Sequence, residues 1–194
     1  GRCCAPMIRR TLVLPQIKKA QITIASFGFF EVFINGKKVS EDLFLPLSTD
    51  YHERPEKLYR GIPYDEEMRH RLYCPVYDIT SYIKEGENTI CFLMGPGWYE
   101  MPNECYEYGH IKLCYVLTYL DKTGECSTIG SDENHKWKES YVKKANLLKG
   151  EVQDYRDYDE EWLKTSYDDS DWENVEIVQV PETRFLEQDC PADR

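Results

Sequence analysis

The stretch ICFLMGPGWY, residues 90–99, joins a buried strand to an abrupt turn. Residues 90–94 are apolar on both faces, which is typical of a strand enclosed inside a sheet or sandwich. The glycines and proline at 95–97 cannot continue a strand, so they predict a turn that brings Trp98 and Tyr99 to the rim of the fold. Two adjacent aromatic rings on a rigid loop suit two roles, a platform for the apolar face of a sugar or a plug at the end of the core.

Hairpin signals on either side of this strand extend the prediction to the whole chain. Residues 29–34 alternate between two faces and run directly into Asn35-Gly36, a dipeptide suited to the positive φ angles of a type I′ turn. Residues 37–39 are therefore expected to return antiparallel, and residues 121–124 predict a second hairpin turn. Turn signals recur about every ten residues and helical periodicity is nearly absent. The sequence thus predicts an all-β fold, an antiparallel β-sandwich of the jelly-roll, galactose-binding-like type with at most one or two short helical turns.

The length of 194 residues fits one domain with short flanking segments. Residues 1–19 are expected to form an N-terminal arm or an edge strand, and residues 20–181 the sandwich. The apolar run 175–180, closed by a proline, is expected to be its last strand. Residues 182–194 would then be a C-terminal tail or a linker to a catalytic domain that lies outside this sequence. Since the chain begins with Gly rather than Met, we expect it to be part of a longer protein.

Charge and hydropathy argue against two kinds of partner, and the cysteines indicate the compartment. The formal net charge is −11, with 24 Lys and Arg against 35 Asp and Glu, so nucleic acid is not an expected partner. No apolar run approaches the roughly 18 residues of a membrane-spanning helix, so no membrane partner is expected. The eight cysteines contain no CxxC pair, which predicts free thiols in a reducing compartment, the cytoplasm.

Motifs for catalysis are missing from the sequence. The four histidines are scattered, and no GxSxG, HExxH, P-loop or GxGxxG pattern occurs. The acidic run 168–171 lacks the Gly and the distal Glu of an EF-hand loop. Its neighbours Trp162 and Trp172 favour a turn held by Asx-type hydrogen bonds instead. The chain by itself is therefore not expected to be an enzyme.

Several short motifs follow one order between residues 20 and 180. They are GFFEVFINGKKV at 28–39, TDY at 49–51, YDIT at 77–80, GEN at 86–88, GWY at 97–99, GE at 150–151, DYR at 154–156 and YDDSDW at 167–172. This order resembles the N-terminal β-sandwich domain of bacterial α-L-rhamnosidases, which are glycoside hydrolases. The resemblance implies a jelly-roll module that precedes a catalytic (α/α)₆ barrel, where the acidic catalytic residues of that family lie.

The resemblance also implies a ligand site. In some relatives this domain binds terminal L-rhamnose with the help of a calcium ion. Carried over to this sequence, the ligand-binding residues are Asp50, Tyr51, Trp98, Tyr99, Glu151 and Asp154, with Asp50 and Glu151 as candidate calcium ligands. The chain departs from those relatives after Tyr51, where an insertion runs to residue 71. Two functions remain open, a module that binds a rhamnose-containing glycan and a structural module that packs on the catalytic barrel of the same parent chain.

Overall fold

The computed structural model describes residues 5–52, 70–101 and 108–189. Two short 3₁₀ turns, Tyr155–Asp157 and Glu161–Leu163, accompany the strands in these segments. The strands in chain order are β1 (Pro6–Leu14), β2 (Ile17–Phe27), β3 (Phe29–Ile34), β4 (Lys37–Lys38), β5 (Arg71–Cys74), β6 (Val76–Asp78), β7 (Gly86–Gly95), β8 (Lys112–Asp121), β9 (Cys126–Gly130), β10 (Lys136–Glu139), β11 (Val142–Asn146), β12 (Gly150–Gln153), β13 (Glu173–Asn174) and β14 (Arg184–Glu187).

Two antiparallel sheets face each other across the main core. The larger sheet has six strands in the order β13-β10-β1-β7-β3-β4, and the smaller has four in the order β6-β2-β8-β9. Two strand pairs complete the fold, with β11 antiparallel to β12 and β14 parallel to β5. The core between the two sheets consists of apolar side chains from β1, β3 and β7 on one side and from β2 and β8 on the other. The predicted all-β, antiparallel β-sandwich is therefore confirmed.

Strand β7 is apolar on both faces because each face is covered. Ile90, Phe92 and Met94 point into the core between the sheets. Cys91 points the opposite way, as expected for a strand, and packs under Trp162 on the outer face of the six-stranded sheet. The doubly apolar pattern of the sequence thus reflects a strand with a core on one side and a loop packed on the other.

The Asn35-Gly36 hairpin lies where the sequence places it. Asn35 and Gly36 have φ angles of 51° and 80°, and β4 returns antiparallel to β3. The Asn35 side chain also ties the turn to β7, because its Nδ2 donates to Asn88 Oδ1 at 2.8 Å and its Oδ1 accepts from the Thr89 backbone N–H at 3.0 Å. The turn residue therefore fixes both the hairpin and its attachment to the central strand.

The two ends of the chain differ from the sequence-based expectation. Strand β1 lies between β10 and β7 inside the six-stranded sheet, so residues 6–14 are neither an arm nor an edge strand. The reason is that Leu12 and Leu14 point into the core. The predicted strand at 175–180 is wrong, since no strand forms there and β14 lies further on, inside the expected tail. Beyond Val175, whose N–H donates to the His135 carbonyl at 3.2 Å, the apolar residues of that run are exposed rather than packed on a sheet.

The cysteines of the described segments are free thiols, namely Cys74, Cys91, Cys114 and Cys126. Burial raises the pKa of Cys74 to about 11 and that of Cys91 to about 12, so both thiols stay protonated at neutral pH. The other four cysteines lie outside the described residues. Within the described segments, none of the helical stretches has the length and apolarity needed to span a bilayer.

His135 is a buried, titratable group that connects the two sheets. Its Nδ1 lies 2.8 Å from the Asp132 carbonyl, and its Nε2 lies 3.0 Å from the Tyr115 hydroxyl on β8. Because a carbonyl oxygen only accepts, Nδ1 carries the proton and Nε2 accepts from Tyr115. Burial lowers the pKa of His135 below its usual 6.5. The folded protein therefore favours the neutral imidazole.

We expect the free energy of unfolding to fall as the pH drops below about 6.5. The unfolded chain takes up a proton on His135 at a higher pH than the folded chain does, so the stability is complete above that pH and declines below it. Urea unfolding between about pH 7.5 and pH 5 measures this slope, which His135→Gln should flatten. His110→Gln is a comparison at an exposed histidine, whose side chain is 83% exposed and whose Nδ1 lies 3.1 Å from Glu100 Oε1. An equal slope in the wild type and in His135→Gln would contradict the assignment.

Candidate functional site

Aromatic side chains gather on the outer face of the four-stranded sheet, beside the turn at 95–99. The ring centroids of Tyr51 and Tyr108 are 5.1 Å apart, and those of Tyr99 and Tyr108 are 5.6 Å apart in a stacked arrangement. Trp98 is half-buried against the same group. We call the group the aromatic cluster, and its members are Phe27, Tyr51, His52, Tyr99 and Tyr108.

The backbone of the turn fixes the position of Trp98. The N–H groups of Tyr99 and Glu100 both donate to the Pro96 carbonyl at 3.2 Å. Gly97 has a φ of +53°, and a Cβ at this position would lie 3.0 Å from the Phe29 ring. Glycine is therefore favoured here both by the backbone angle and by the limited space beside the Phe29 ring. The two hydrogen bonds close the turn that the composition predicts.

Tyr99 closes the end of the core and is not available to stack on a sugar. Its side chain is 0% exposed, and burial raises its pKa well above the usual value. Its hydroxyl lies 2.7 Å from His52 Nε2 and accepts from Lys112 Nζ at 3.3 Å. The Lys112 ammonium also lies 5.3 Å from the centre of the Tyr99 ring, in cation–π geometry. Of the two adjacent aromatic residues, Trp98 is thus the one that reaches the rim.

Asp50 and Tyr51 join the aromatic cluster from the segment that precedes the insertion. Tyr51 is 1% exposed, and burial raises its pKa to about 12. Asp50 Oδ1 accepts from the Tyr108 hydroxyl at 2.8 Å, and its backbone carbonyl accepts from Arg71 N–H at 3.2 Å. The structure therefore brings together Asp50, Tyr51, Trp98 and Tyr99, four of the residues predicted for ligand binding. Residues 53–69 of the insertion lie outside the described residues.

Glu151 and Asp154 lie on the other side of the sandwich. Glu151 belongs to β12 and pairs with Ala145 of β11. Ala145 packs with Leu93, which points outward from the six-stranded sheet, whereas the aromatic cluster lies on the outer face of the four-stranded sheet. The Asp154 carboxylate forms an ion pair with the Arg156 guanidinium, in which Oδ2 lies 2.5 Å from Nη2. The structure does not bring these two acids to Trp98.

The residues proposed as calcium ligands do not form one site. Calcium takes six to eight oxygen ligands, which requires several carboxylates or carbonyls at one point. Asp50 and Glu151 lie on opposite outer faces of the sandwich. Within the three described segments, no group of three or more His, Cys, Asp or Glu side chains is placed to hold a metal ion. The donor set present there does not fit the calcium site that the resemblance implies.

Three polar residues that the sequence did not predict lie near the aromatic cluster, namely Glu100, His110 and Lys112. Glu100 is 7% exposed, with Oε1 at 3.1 Å from His110 Nδ1 and Oε2 accepting from Ile111 N–H at 3.2 Å. Lys112 donates to the His110 carbonyl at 2.9 Å, and burial lowers its pKa. The alternation of β8 placed Lys112 on the outer face and was the available signal. Glu100 follows GWY in a loop, where an acidic residue is usually solvated. Nothing in the sequence therefore indicated that it is buried.

The acidic run 168–171 is a turn, as predicted. Asp168 Oδ1 accepts from Ser170 N–H at 3.0 Å, which is an Asx-type hydrogen bond. Trp162 and Trp172 pack beside it with their ring centroids 6.1 Å apart. Asp169 forms an ion pair with the buried Arg9, which the sequence analysis did not anticipate. This run therefore attaches a loop to the six-stranded sheet.

Known proteins resemble this chain over most of its length. The α-L-rhamnosidase of Streptomyces avermitilis is 27% identical over 200 residues, covering 97% of this chain and 17% of that protein. The solved α-L-rhamnosidase from Dictyoglumus thermophilum matches with a TM-score of 0.82 and 28% identity, over 97% of this chain and 19% of that chain. The Streptomyces avermitilis enzyme, solved in complex with L-rhamnose, matches with a TM-score of 0.79 and 25% identity, over 94% of this chain and 17% of that chain.

The extent of these matches identifies the family. This chain spans less than a fifth of the length of the curated relatives, 17% and 18% for two of them. The family model described as the α-L-rhamnosidase N-terminal domain matches residues 15–60 and 62–194. Since that model covers nearly the whole sequence, the chain belongs to the family of α-L-rhamnosidase N-terminal domains.

Proposed function

We propose that this domain is a non-catalytic module of an α-L-rhamnosidase and that it binds carbohydrate ending in L-rhamnose. The observation that carries the proposal is the half-buried Trp98, held on a hydrogen-bonded turn against the aromatic cluster. A pyranose has an apolar C–H face that stacks on an indole, and hydroxyl groups that need hydrogen-bond partners. Trp98 supplies the apolar surface for that face.

Polar atoms around the aromatic cluster complement the hydroxyl groups of a sugar. Asp50, His52 and Lys112 are each partly exposed and supply a carboxylate, an imidazole and an ammonium. All three contact the hydroxyl group of a tyrosine in the cluster, which holds them in place. A few fixed polar groups beside an aromatic surface are typical of a small-molecule binding site. Binding loses little conformational entropy when such groups are already positioned.

The relatives support the same class of ligand. The Streptomyces avermitilis enzyme was solved with L-rhamnose, and it is similar to this chain in sequence and in fold. We infer that the parent of this domain is also a glycoside hydrolase that acts on rhamnosides, and that the catalytic step takes place in another part of that parent.

We expect L-rhamnose to give saturable heat in a calorimetric titration with an affinity near the millimolar range. Trp98→Ala should weaken this binding at least about tenfold because the stacking surface is lost, whereas Trp98→Phe should retain part of it. We expect saturation both with EGTA and with added Ca²⁺, since Asp50 and Glu151 do not share a site.

The matched control is Trp137→Phe, which changes an indole on β10, away from the aromatic cluster. Its affinity for L-rhamnose should equal that of the wild type. No saturable heat with roughly tens of millimolar sugar, from a protein whose circular dichroism is intact, would contradict carbohydrate binding at this site.

A second function is favoured by a different observation. The segment 177–186 exposes large apolar side chains, which mark protein contact surfaces when they occur together. The partner that suits them is the catalytic domain of the same parent chain, and the domain would then be a structural module. The exposed residues are Ile177, Val178, Val180, Phe185 and Leu186.

A further inference from the structure

Three tyrosine rings form an exposed surface on the outer face of the six-stranded sheet. Tyr141 lies with its ring centroid 5.7 Å from that of Tyr155 and 4.9 Å from that of Tyr158. The centroids of Tyr155 and Tyr158 are 5.7 Å apart. Tyr155 is 69% exposed and Tyr158 is 45% exposed. We call these three residues the tyrosine platform.

Hydrogen bonds connect the backbone segments that carry the tyrosine platform. The Asp154 N–H donates to the Tyr141 carbonyl at 2.8 Å, which joins the 3₁₀ turn Tyr155–Asp157 to the residue that precedes β11. Arg156 then closes this turn, with Nε at 2.8 Å from Asp154 Oδ1 and Nη2 at 2.5 Å from Oδ2. Lys143 forms an ion pair with Asp157 at 2.7 Å on the opposite side. The backbone that carries the exposed rings is therefore held in place, which lowers the entropy lost on binding.

Carboxylates surround the tyrosine platform. The pKa of Tyr141 is raised by burial, then by Tyr155, and then by the negative charges of Glu31, Glu151 and Glu160. Glu160 also accepts a hydrogen bond from the Tyr158 hydroxyl. The single guanidinium of the turn is already paired with Asp154. The surface thus combines aromatic faces with hydrogen-bond acceptors. Its negative charge comes chiefly from Glu151 and Glu160, since Lys38 pairs with Glu31 and Lys143 with Asp157.

We propose that the tyrosine platform is a second carbohydrate-binding surface and that it takes neutral pyranose units. An aromatic face suits the C–H face of a pyranose, and carboxylate oxygens accept from its hydroxyl groups. The negative charge disfavours uronic acids, whose carboxylates would be repelled at short range. Glu151 and Asp154, which the resemblance assigned to the Trp98 site, belong to this surface: Asp154 positions the turn, and Glu151 lies among the acceptors.

The proposal goes beyond carbohydrate binding at Trp98, since the two surfaces lie on opposite outer faces of the sandwich. A long or branched glycan that reached both would be bound more tightly than either surface binds alone, because the second contact becomes intramolecular. Each surface carries its own reporter, an indole in one case and tyrosine rings in the other. Failure of one site is therefore distinguishable from failure of the other.

The test follows the ring signals of the tyrosines by NMR while L-rhamnose or D-glucose is added to the Trp98→Ala variant. Removal of Trp98 abolishes stacking at the Trp98 site, so any remaining saturable shift reports binding at another surface. We expect saturable shifts of the Tyr155 and Tyr158 ring signals and no saturable shift with galacturonate. Tyr155→Ala together with Tyr158→Ala should weaken the remaining binding at least about tenfold. Tyr155→Phe, which keeps the ring, should leave it nearly unchanged.

Two results would overturn the proposal. One is a lack of saturable ring shifts with roughly tens of millimolar neutral sugar in a variant that is folded by circular dichroism. The other is ring shifts produced by a lysine-rich peptide but not by sugar, since the platform would then be a surface for a basic protein segment. Because the wild-type ring signals can be followed directly, both results are readable even if the double variant fails to fold.

Discussion

Arg9→Met is expected to lower the free energy of unfolding by about 3–5 kcal/mol, a large fraction of the stability of a domain this size. Arg9 is 1% exposed and points outward from β1 into the loop that carries Trp162 and Trp172. Its guanidinium donates to four oxygen atoms of that loop. The acceptors are the carbonyls of Trp162 at 3.2 Å, Lys164 at 3.0 Å and Tyr167 at 3.4 Å, and the carboxylate of Asp169.

The physical reason for the large effect is that methionine removes the charged donor that all four of these acceptors share. Removing one partner of a buried charge pair costs the desolvation of the group that remains. Asp169 retains Lys136 Nζ at 3.3 Å, and the Lys164 carbonyl retains the Tyr167 N–H at 3.2 Å, which limits the loss. The loop should then detach from β7 first, because Trp162 covers Cys91 on that strand.

Urea unfolding of the wild type and of Arg9→Met measures the effect. Lys138→Met is the matched control, since Lys138 pairs with Asp171 of the same loop at 2.7 Å but at an exposed position. An exposed pair contributes roughly 0–1 kcal/mol, so the control should lose little. If both variants lost the same amount, the buried position of Arg9 would not be the cause.

Gly28→Ala is expected to destabilise the fold by roughly 2–6 kcal/mol, from backbone strain and overpacking together. Gly28 lies between β2 and β3 with a φ of +124°, which an L side chain rarely adopts. A Cβ at this position would lie 2.6 Å from the Gly95 carbonyl oxygen and 2.7 Å from Ile111 Cγ2. The first of these atoms is backbone and cannot move away without shifting the turn.

Thermal or urea unfolding checks this result, with Gly124→Ala as the control. Gly124 has a φ of +93°, but nothing lies within 4 Å of a Cβ built there. The control therefore isolates the backbone angle, at a cost of about 1–2 kcal/mol. We also expect Gly28→Ala to weaken binding at Trp98, because Gly95 begins the turn that carries that side chain. Equal destabilisation by the two variants would show that the close approach of Gly95 is unimportant.

The proposed functions place two carbohydrate surfaces on one sandwich. Trp98 lies beside a cluster in which Tyr51 and Tyr99 are buried, whereas the tyrosine platform is mostly exposed. The two sites therefore differ in what holds them in place. Trp98 packs on buried side chains, whereas the tyrosine platform depends on hydrogen bonds around a 3₁₀ turn. This difference predicts that substitutions at the tyrosine platform change binding with little effect on stability.

The local rules of the sequence determined the sandwich itself. Residues 90–94 are apolar on both faces and form the central strand β7, and Asn35-Gly36 forms the hairpin that its φ preferences require. The Asx turn at 168–171 was likewise predictable, because the hydrogen bond from Ser170 to Asp168 spans only two residues. These features depend on the preferences of neighbouring residues, so they can be read without knowledge of the rest of the chain.

Only the tertiary structure decided which residues share a surface. Tyr99 and Trp98 are adjacent and similar in sequence, yet one is buried and the other half-buried, because Phe27 and Tyr51 arrive from distant segments to cover Tyr99. Glu151 was assigned to the Trp98 site, but it lies on the opposite face with β12. Contacts between residues far apart in sequence depend on how the sheets pair and pack, and no pattern within one segment carries that information.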